Sequence, residues 1–176
     1  MALEDAIRLG STTHAYTDTS TSGNISEETA GALGIDGDFT TYHGITASNS
    51  GGYGSDATII SEHTFSTAKT ISKITYRTAI HGQAAGSYEV VVSVSRYVQY
   101  YSGGAWTTVS GSSSTSVGDS GSVTYTFDTP VSCTAIKSYA YFTAWASGGE
   151  GSNSGYAKIY EIQAYFSVKK SYAGVV

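Results

Sequence analysis

The chain has little cysteine, little proline and few charged side chains. Of its 176 residues one is cysteine, one is proline and 13% are charged. The single thiol, Cys133, excludes an intrachain disulfide and a zinc site built from several cysteines. The nine Lys and Arg residues are scattered and the formal net charge is −5, so the basic surface that a phosphate backbone requires is missing. We therefore expect no nucleic-acid partner.

Long apolar runs are also missing from the sequence. No stretch of about 18 consecutive apolar residues occurs, which argues against membrane insertion. The first residues, Met1 to Arg8, lack the basic region and apolar segment of a secretory signal peptide. The 21 Gly, the 15 Tyr and the abundant Ser and Thr nevertheless indicate an extracellular surface. A virion protein, or a secreted protein whose signal has been removed, would combine these properties, so we expect a virion surface or an extracellular location.

Apolar and polar residues alternate over most of the chain. Val90, Val92, Val94 and Val98 fall on one side of the segment 88–98, which predicts a long strand with one buried face. Further strands with the same alternation are predicted at 72–77, 122–128 and 134–145.

Clusters of glycine and serine separate these strands, and such clusters are typical of loops. The spacing of strands and loops predicts an all-β fold, an antiparallel jelly-roll-like β-sandwich of about eight strands. Helical periodicity is limited to short pieces near 3–9 and 26–33, which would accompany the sheets. We assign an N-terminal arm to residues 1–25, the sandwich to 26–166 and a C-terminal tail to 167–176.

An acidic bend lies in the segment 33–42, where Asp36 and Asp38 flank a glycine and Thr41 follows. Calcium prefers about six to eight oxygen ligands, and a glycine between two carboxylates lets the chain turn sharply enough to aim both at one ion. The same residue types also form ordinary turns, in which the Asp side chains bind their own backbone and no ion is needed. From this segment alone, both interpretations stand.

A second segment, 157–166, carries an acid among apolar residues of a predicted strand. Together with the acidic bend, it resembles the discoidin family, also called the coagulation factor 5/8 C-terminal type or galactose-binding-like fold. In that family a D-G-[DN]-x-x-T-x-W segment lies beside a late acid–aliphatic strand, and the two share one calcium ion. The resemblance covers about residues 30–166 and departs from the family at His43, where the family has Trp. It implies a calcium site formed by the side chains of Asp36, Asp38, Thr41 and Glu161 and the backbone carbonyls of Leu33 and Tyr160. In the alternative, turn interpretation, Asp36 and Asp38 only form a turn and Glu161 is exposed.

Two isoleucines of the late strand, Ile159 and Ile162, are out of phase with each other, so strict alternation cannot bury both on one face. A β-bulge at Tyr160 and Glu161 would bury both of them. Bulges also turn side chains toward sites, so the pattern gives the calcium hypothesis some independent support.

Ligands of discoidin-like proteins usually meet the loops at one end of the sandwich, and sugar-binding members offer an aromatic ring beside polar groups. The apolar face of a pyranose stacks on such a ring while neighbouring groups bond its hydroxyls. We expect Tyr53, His81 and Trp145 to contact a sugar. Trp106 and Trp145 also alternate with strand residues, so a core position is an open alternative for each.

The sequence offers no positive evidence for catalysis. Its four histidines lack the spacing of a metal cluster, and no G-x-S-x-G, P-loop or H-E-x-x-H motif occurs, so we expect no enzymatic activity. The segment 100–109 is similar to a Y-x-S/N-G-x-W hairpin of many phage tail, fibre and head-decoration proteins. We therefore predict a calcium-stabilised module that attaches a virion or other extracellular assembly to cell-surface carbohydrate. The alternative is a decoration or assembly protein of a capsid, tail or filament, whose loops contact neighbouring subunits.

Overall fold

The computed structural model describes residues 6–7, 12–18, 24–29, 38–50, 54–84, 90–146 and 152–166, with side chains placed in 38–46, 58–81, 94–142 and 156–166. Within these ranges the ordered elements are all β-strands. The strands are β1 Ala6–Ile7, β2 Thr12–Asp18, β3 Asn24–Thr29, β4 His43–Ser50, β5 Gly54–Ala84, β6 Val90–Ser102, β7 Ala105–Thr108, β8 Gly118–Asp119, β9 Val123–Ala146 and β10 Ser152–Phe166. Among the described residues, no helix has the length and apolar character needed to span a bilayer.

The strands pair antiparallel in the order β3-β4-β10-β5-β9-β6-β7, while β1 pairs with β10, and β2 and β8 pair with β5. The long strand β5 takes part in two layers. Its first half, 54–64, pairs with β2 and with the second part of β9. Its second half, 71–84, pairs with β10, with β8 and, over 73–76, with the first residues of β9. Its register with β9 shifts between Thr64 and Lys69 and again between Ile71 and Lys73, which is where the strand turns a corner between the layers.

Packing of the two halves of β5 against each other shows that the sheet folds back on itself. Ile59 and Ile80 lie in one buried cluster, although 21 residues of straight strand would separate them by about 70 Å. We call the layer of β2, the first half of β5, the part of β9 from 135 onward, β6 and β7 sheet I. The layer of β3, β4, β10, β8, the second half of β5 and residues 123–126 of β9 is sheet II.

Two apolar clusters fill the space between the sheets, and each draws residues from both layers. The cluster beside the first half of β5 contains Ile45, Ile59, Ile80, Val94, Ala140, Phe142, Ala157 and Ile159. The cluster beside the corner contains Phe65, Ile71, Ile74, Tyr76, Val98, Val109, Cys133, Ile136, Ile162 and Ala164. The predicted antiparallel β-sandwich is therefore confirmed, with ten strands in the described residues instead of about eight.

The predicted bulge in β10 is also confirmed. The register of β10 with β5 shifts between Ile159 and Glu161. Ile159 is 0% exposed and Ile162 is 1% exposed, and the two belong to different clusters of the core. The extra residue resets the alternation of the strand so that both isoleucines point inward.

The predicted short helices are wrong where the structure describes them. Ala6–Ile7 and Asn24–Thr29 are strands, which pair with β10 and β4. A short helix is marginal in water, whereas an edge of the sheet satisfies the same backbone groups by pairing. Strands β1 and β2 lie in the predicted N-terminal arm, 1–25, and both pair with the sandwich; the domain boundaries themselves stay a prediction.

Candidate functional site

One end of the sandwich gathers the termini of five strands. Register pairs join Ser50 to Ser152, Gly54 to Trp145, Ala84 to Asn153 and Val90 to Ala146. The connections between β4 and β5, β5 and β6, and β9 and β10 therefore all start and finish here. We call this the loop end.

Two of the predicted sugar contacts, His81 and Trp145, belong to strands that finish at the loop end. Trp145 pairs through its backbone with Gly54, the residue that follows Tyr53 in the chain. Tyr53 and the side chain of Trp145 lie outside the described part of the structure. His81 lies opposite Tyr156, three residues before the end of β5, so it belongs to sheet II, whereas Trp145 belongs to sheet I. The rings of His81 and Tyr156 are stacked, with centroids 5.0 Å apart and planes at 30°.

A row of aromatic and cationic side chains continues from His81 and Tyr156 along the outer face of sheet II. Lys158 Nζ lies 4.7 Å from the ring centroid of Tyr156 and 4.0 Å from that of Tyr42. Tyr42 meets Tyr160 edge to face, with centroids 5.4 Å apart. The guanidinium carbon of Arg77 lies 4.0 Å from the Tyr160 ring centroid. We call this row the aromatic–cation strip; its members are His81, Tyr156, Lys158, Tyr42, Tyr160 and Arg77.

Strand alternation explains why the strip forms on this face. Ala157 and Ile159 of β10 are fully buried, so the residues between and beside them are directed outward. The register then places β5 on one side of these residues and β4 on the other. Each exposed cation–π pair contributes about 0.5–1 kcal/mol, so the strip also ties three strands together.

Arg77 lies at the end of the strip that is farthest from the loop end, where it forms three hydrogen bonds. Its Nε and Nη2 donate to the two carboxylate oxygens of Asp119, at 3.2 and 2.5 Å, and its Nη1 donates to the carbonyl oxygen of Phe39 at 2.9 Å. The hydrogen bonds from Arg77 hold the pKa of Asp119 below its usual value and raise the pKa of Arg77.

The structure brings described parts of the predicted calcium site together. His43 pairs with Ile159, so the residues just before β4 lie beside those that follow Ile159 in β10. Tyr42 contacts Tyr160, and Arg77 reaches both segments through Tyr160 and the carbonyl of Phe39. Leu33 and Asp36 lie outside the described residues.

The described ligand candidates differ in their surroundings. Asp38 is exposed, and its Oδ1 accepts hydrogen bonds from the Thr40 backbone N at 2.8 Å and from Thr40 Oγ1 at 2.7 Å, which lowers its pKa. The Thr41 hydroxyl donates to the Asp38 carbonyl at 3.2 Å. These are the local contacts of an ordinary turn.

Glu161, in contrast, is only 1% exposed, and its Oε1 accepts a hydrogen bond from Ile162 N at 3.2 Å. The turn interpretation expected Glu161 to be exposed, which it is not. A carboxylate in this position requires compensation of its charge, and hard oxygen donors are the ligands that calcium prefers. His43, where the resembling family has Trp, is fully buried. Within the described residues, no group of three or more His, Cys, Asp or Glu side chains suited to a metal is found, and two predicted ligands lie outside them.

Four members of the strip were not among the predicted site residues: Tyr42, Arg77, Tyr156 and Lys158. The signal that points to two of them is the alternation Tyr156-Ala-Lys158-Ile-Tyr160, in which small or apolar residues separate ring, cation and ring. Tyr42 and Arg77 come from other strands or loops, and only the register brings them to β10.

No protein-family model matches this sequence, and no curated protein matches it. Among solved structures, the family 32 carbohydrate-binding module of Clostridium perfringens NanJ, in complex with galactose, is 20% identical, with 93% of this chain and 99% of that chain covered and a TM-score of 0.44. TmCBM61 in complex with β-1,4-galactotriose is 11% identical, with 88% of each chain covered and a TM-score of 0.40. The enzymatically active domain of tailspike protein 4 from bacteriophage CBA120 is 9% identical, with 88% of this chain and 19% of that chain covered and a TM-score of 0.40. At these TM-scores the likenesses carry no argument about what this chain binds.

Proposed function

We propose that the protein is a non-catalytic, calcium-stabilised module that binds carbohydrate at the loop end and the adjoining part of the aromatic–cation strip. The observation that carries the proposal is the stacked pair of His81 and Tyr156, which lies near the loop end and continues into Lys158. The pair combines a ring with groups that donate hydrogen bonds, as sugar recognition requires. The backbone of Trp145 reaches the same end on sheet I.

The chemistry of the strip favours an acidic sugar over a neutral one. The ring of Tyr156 has His81 stacked on it and the Lys158 ammonium beside it, so a ligand would meet the phenol hydroxyl, the imidazole and the ammonium. The Lys158 ammonium lies beside the Tyr156 ring, where it could donate a charge-assisted hydrogen bond to a sugar carboxylate.

The role proposed for calcium is structural. Asp36, Asp38, Thr41 and Glu161 would supply side-chain oxygens, and Leu33 and Tyr160 would supply carbonyl oxygens. The burial of Glu161 supports this assignment, since a bound cation would compensate its charge. The ion would join the acidic bend to β10 beside the strip and would hold Tyr160 in place.

Binding of sialylated, uronate-containing and neutral glycans by the purified protein tests the proposal. Galactose and β-1,4-galactotriose, the ligands in two of the neighbouring structures, belong in the panel. We expect Tyr156→Ala and His81→Ala each to weaken binding of the best acidic glycan by about tenfold or more, measured by calorimetric titration.

Tyr165→Ala is the matched control for these variants. Tyr165 is also directed outward from β10, and Lys73 Nζ lies 4.3 Å from its ring, but it is at the far end of the strand from Tyr156. Affinity in Tyr165→Ala should equal that of the parent. Equal losses in all three variants, or no binding of any glycan by the parent, would overturn the assignment.

Display on a virion, and the alternative of a decoration or assembly protein, remain proposals that rest on the sequence. Light scattering after size-exclusion chromatography separates the two functions. A monomer that binds glycans supports the binding module, whereas an oligomer that binds none supports the assembly protein.

A further inference from the structure

A groove crosses the outer face of sheet I, far from the loop end. Thr64 in this groove lies ten residues along β5 from Gly54, a distance of about 33 Å in a straight strand. The groove consists of two depressions of about 340 and 310 Å³, and Tyr101 and Thr134 line both of them. Small-molecule sites begin at about 300 Å³. Because the depressions share two residues, they can hold adjacent units of one ligand.

The first depression has an aromatic wall and a small floor. The register places Trp106, Tyr101, Ala135 and Thr64 in one row across four strands. Ala135, between the larger side chains of the row, leaves the space. The rings of Tyr101 and Trp106 are tilted against each other, with centroids 5.2 Å apart. Trp106 is therefore a half-buried residue of the outer face, and the core position that the sequence left open for it is wrong.

The charges beside this aromatic wall balance. Lys137 and Glu62 are direct partners in the register of β5 and β9, and Glu62 lines the first depression. Lys137 Nζ lies 4.0 Å from the Trp106 ring centroid. One ammonium and one carboxylate leave no net charge, yet they offer both a donor and an acceptor to hydroxyl groups.

The second depression has small and hydroxyl-bearing walls. Ser102, Ser132 and Thr134 line it together with the turn Gly103–Gly104. Ser102 pairs with Ala105, so these two glycines form a two-residue hairpin turn, and their φ angles of +61° and +86° are those that such a turn demands. Without side chains, the turn leaves its backbone polar groups accessible to a ligand.

We propose that this groove is a second carbohydrate site, which takes a neutral oligosaccharide of at least two sugar units. One pyranose would lie against Tyr101 and Trp106, with its hydroxyls bonded by Glu62, Lys137 and Thr64. The next unit would place its hydroxyls among Ser102, Ser132 and the Gly103–Gly104 turn. The balanced charge of the groove selects neutral sugars. This site does not depend on binding at the loop end.

The indole N–H signals of the two tryptophans give a direct test. The parent protein is titrated with neutral oligosaccharides of gluco, manno and galacto configuration, from disaccharides upward, and the Trp106 signal is assigned with Trp106→Phe. We expect the Trp106 signal to shift in a saturable way with at least one of them, and to shift equally in Tyr156→Ala, which removes the proposed site on the strip. If no neutral oligosaccharide shifts this signal, the proposal is wrong whatever the strip binds.

Affinities of variants locate the ligand within the groove. Trp106→Ala and Glu62→Gln should each weaken the binding of the neutral oligosaccharide by about tenfold or more, measured by calorimetric titration. Glu62→Gln keeps the shape of the side chain, so it tests the site even if Trp106→Ala disturbs the hairpin. Tyr139→Ala is the matched control, because Tyr139 lies two residues beyond Lys137 on the same face, stacked on Tyr97, and lines neither depression. Unchanged affinity in Glu62→Gln, or an equal loss in Tyr139→Ala, would overturn the proposed position.

Discussion

Replacement of Glu161 by glutamine tests the calcium proposal through its effect on the stabilisation that calcium gives. Glu161 is 1% exposed, so its charge is largely removed from water. If no cation binds, the substitution should leave any difference in melting temperature between calcium and EDTA unchanged. With a bound cation, the same change removes a ligand and should abolish the stabilisation that the ion gives.

The size of the effect follows from ligand linkage. An ion at about a hundred times its dissociation constant stabilises the folded state by roughly 2.7 kcal/mol. In a protein of about 150–250 residues, 1 kcal/mol shifts the melting temperature by about 2–4 °C. The parent should therefore melt about 5–11 °C higher in calcium than in EDTA. Glu161→Gln should melt at the same temperature in both.

Thermal unfolding followed by circular dichroism in calcium and in EDTA measures these shifts. Asp36→Ala should likewise abolish the difference between the two conditions. Glu62→Gln changes a half-buried carboxylate on the other sheet and should keep the full calcium shift. A parent that melts at one temperature in both conditions would refute the reasoning, and so would a Glu161→Gln variant that keeps the shift.

Three further predictions concern the core, the strip and the thiol. Phe142 is fully buried, so Phe142→Ala should lower the free energy of unfolding by about 3–5 kcal/mol in urea titrations, and a loss below 1 kcal/mol would contradict the packing. Arg77 holds the pKa of Asp119 below its usual value, so this half-exposed pair stabilises the fold above the unfolded pKa of about 3.9 and loses its contribution as pH falls through the folded pKa. Between pH 7 and 3 the free energy of unfolding of the parent should thus fall by up to about 1 kcal/mol more than that of Asp119→Asn. Equal decreases would show that the pair does not stabilise the fold. Burial raises the pKa of Cys133 to about 11, so a thiol reagent at pH 8 should react with it only after unfolding, and rapid labelling of the folded protein would contradict its burial.

Local patterns were sufficient to predict the class of fold and the bulge. Period-two alternation is a property of neighbouring residues, and the phase slip between Ile159 and Ile162 is visible within four positions. The continuity of the long strands could not be predicted in the same way. The segments 122–128 and 134–145 were predicted as two strands, but both belong to β9, which continues through Pro130. Proline is tolerated there because the register of β9 with β5 has no pair between Thr126 and Val131.

The candidate site was less accessible to sequence analysis than the fold. The strip assembles Tyr42, Arg77 and Tyr156 from segments far apart in the chain, and only the register of three strands makes them neighbours. In the groove, likewise, Trp106 and Glu62 come together across β6 and β9. A local pattern can predict that a residue is directed outward, but it does not predict which residues of other strands lie beside it.

Strand β10 contributes residues to both the buried core and the strip. Before the bulge, Ala157 and Ile159 point inward while Tyr156, Lys158 and Tyr160 point outward; after it, Ile162 and Ala164 point inward. Strict alternation from Ile159 already directs Tyr160 outward and Glu161 inward, but it would turn Ile162 outward, and the extra residue prevents this. Tyr160, whose ring lies beside the Arg77 guanidinium, and the buried Glu161 are thus consecutive residues of one strand. A cation that holds Glu161 would therefore also hold Tyr160 and the strip in place, so removal of calcium should weaken the binding of acidic glycans at the strip, while neutral ones in the groove keep their affinity.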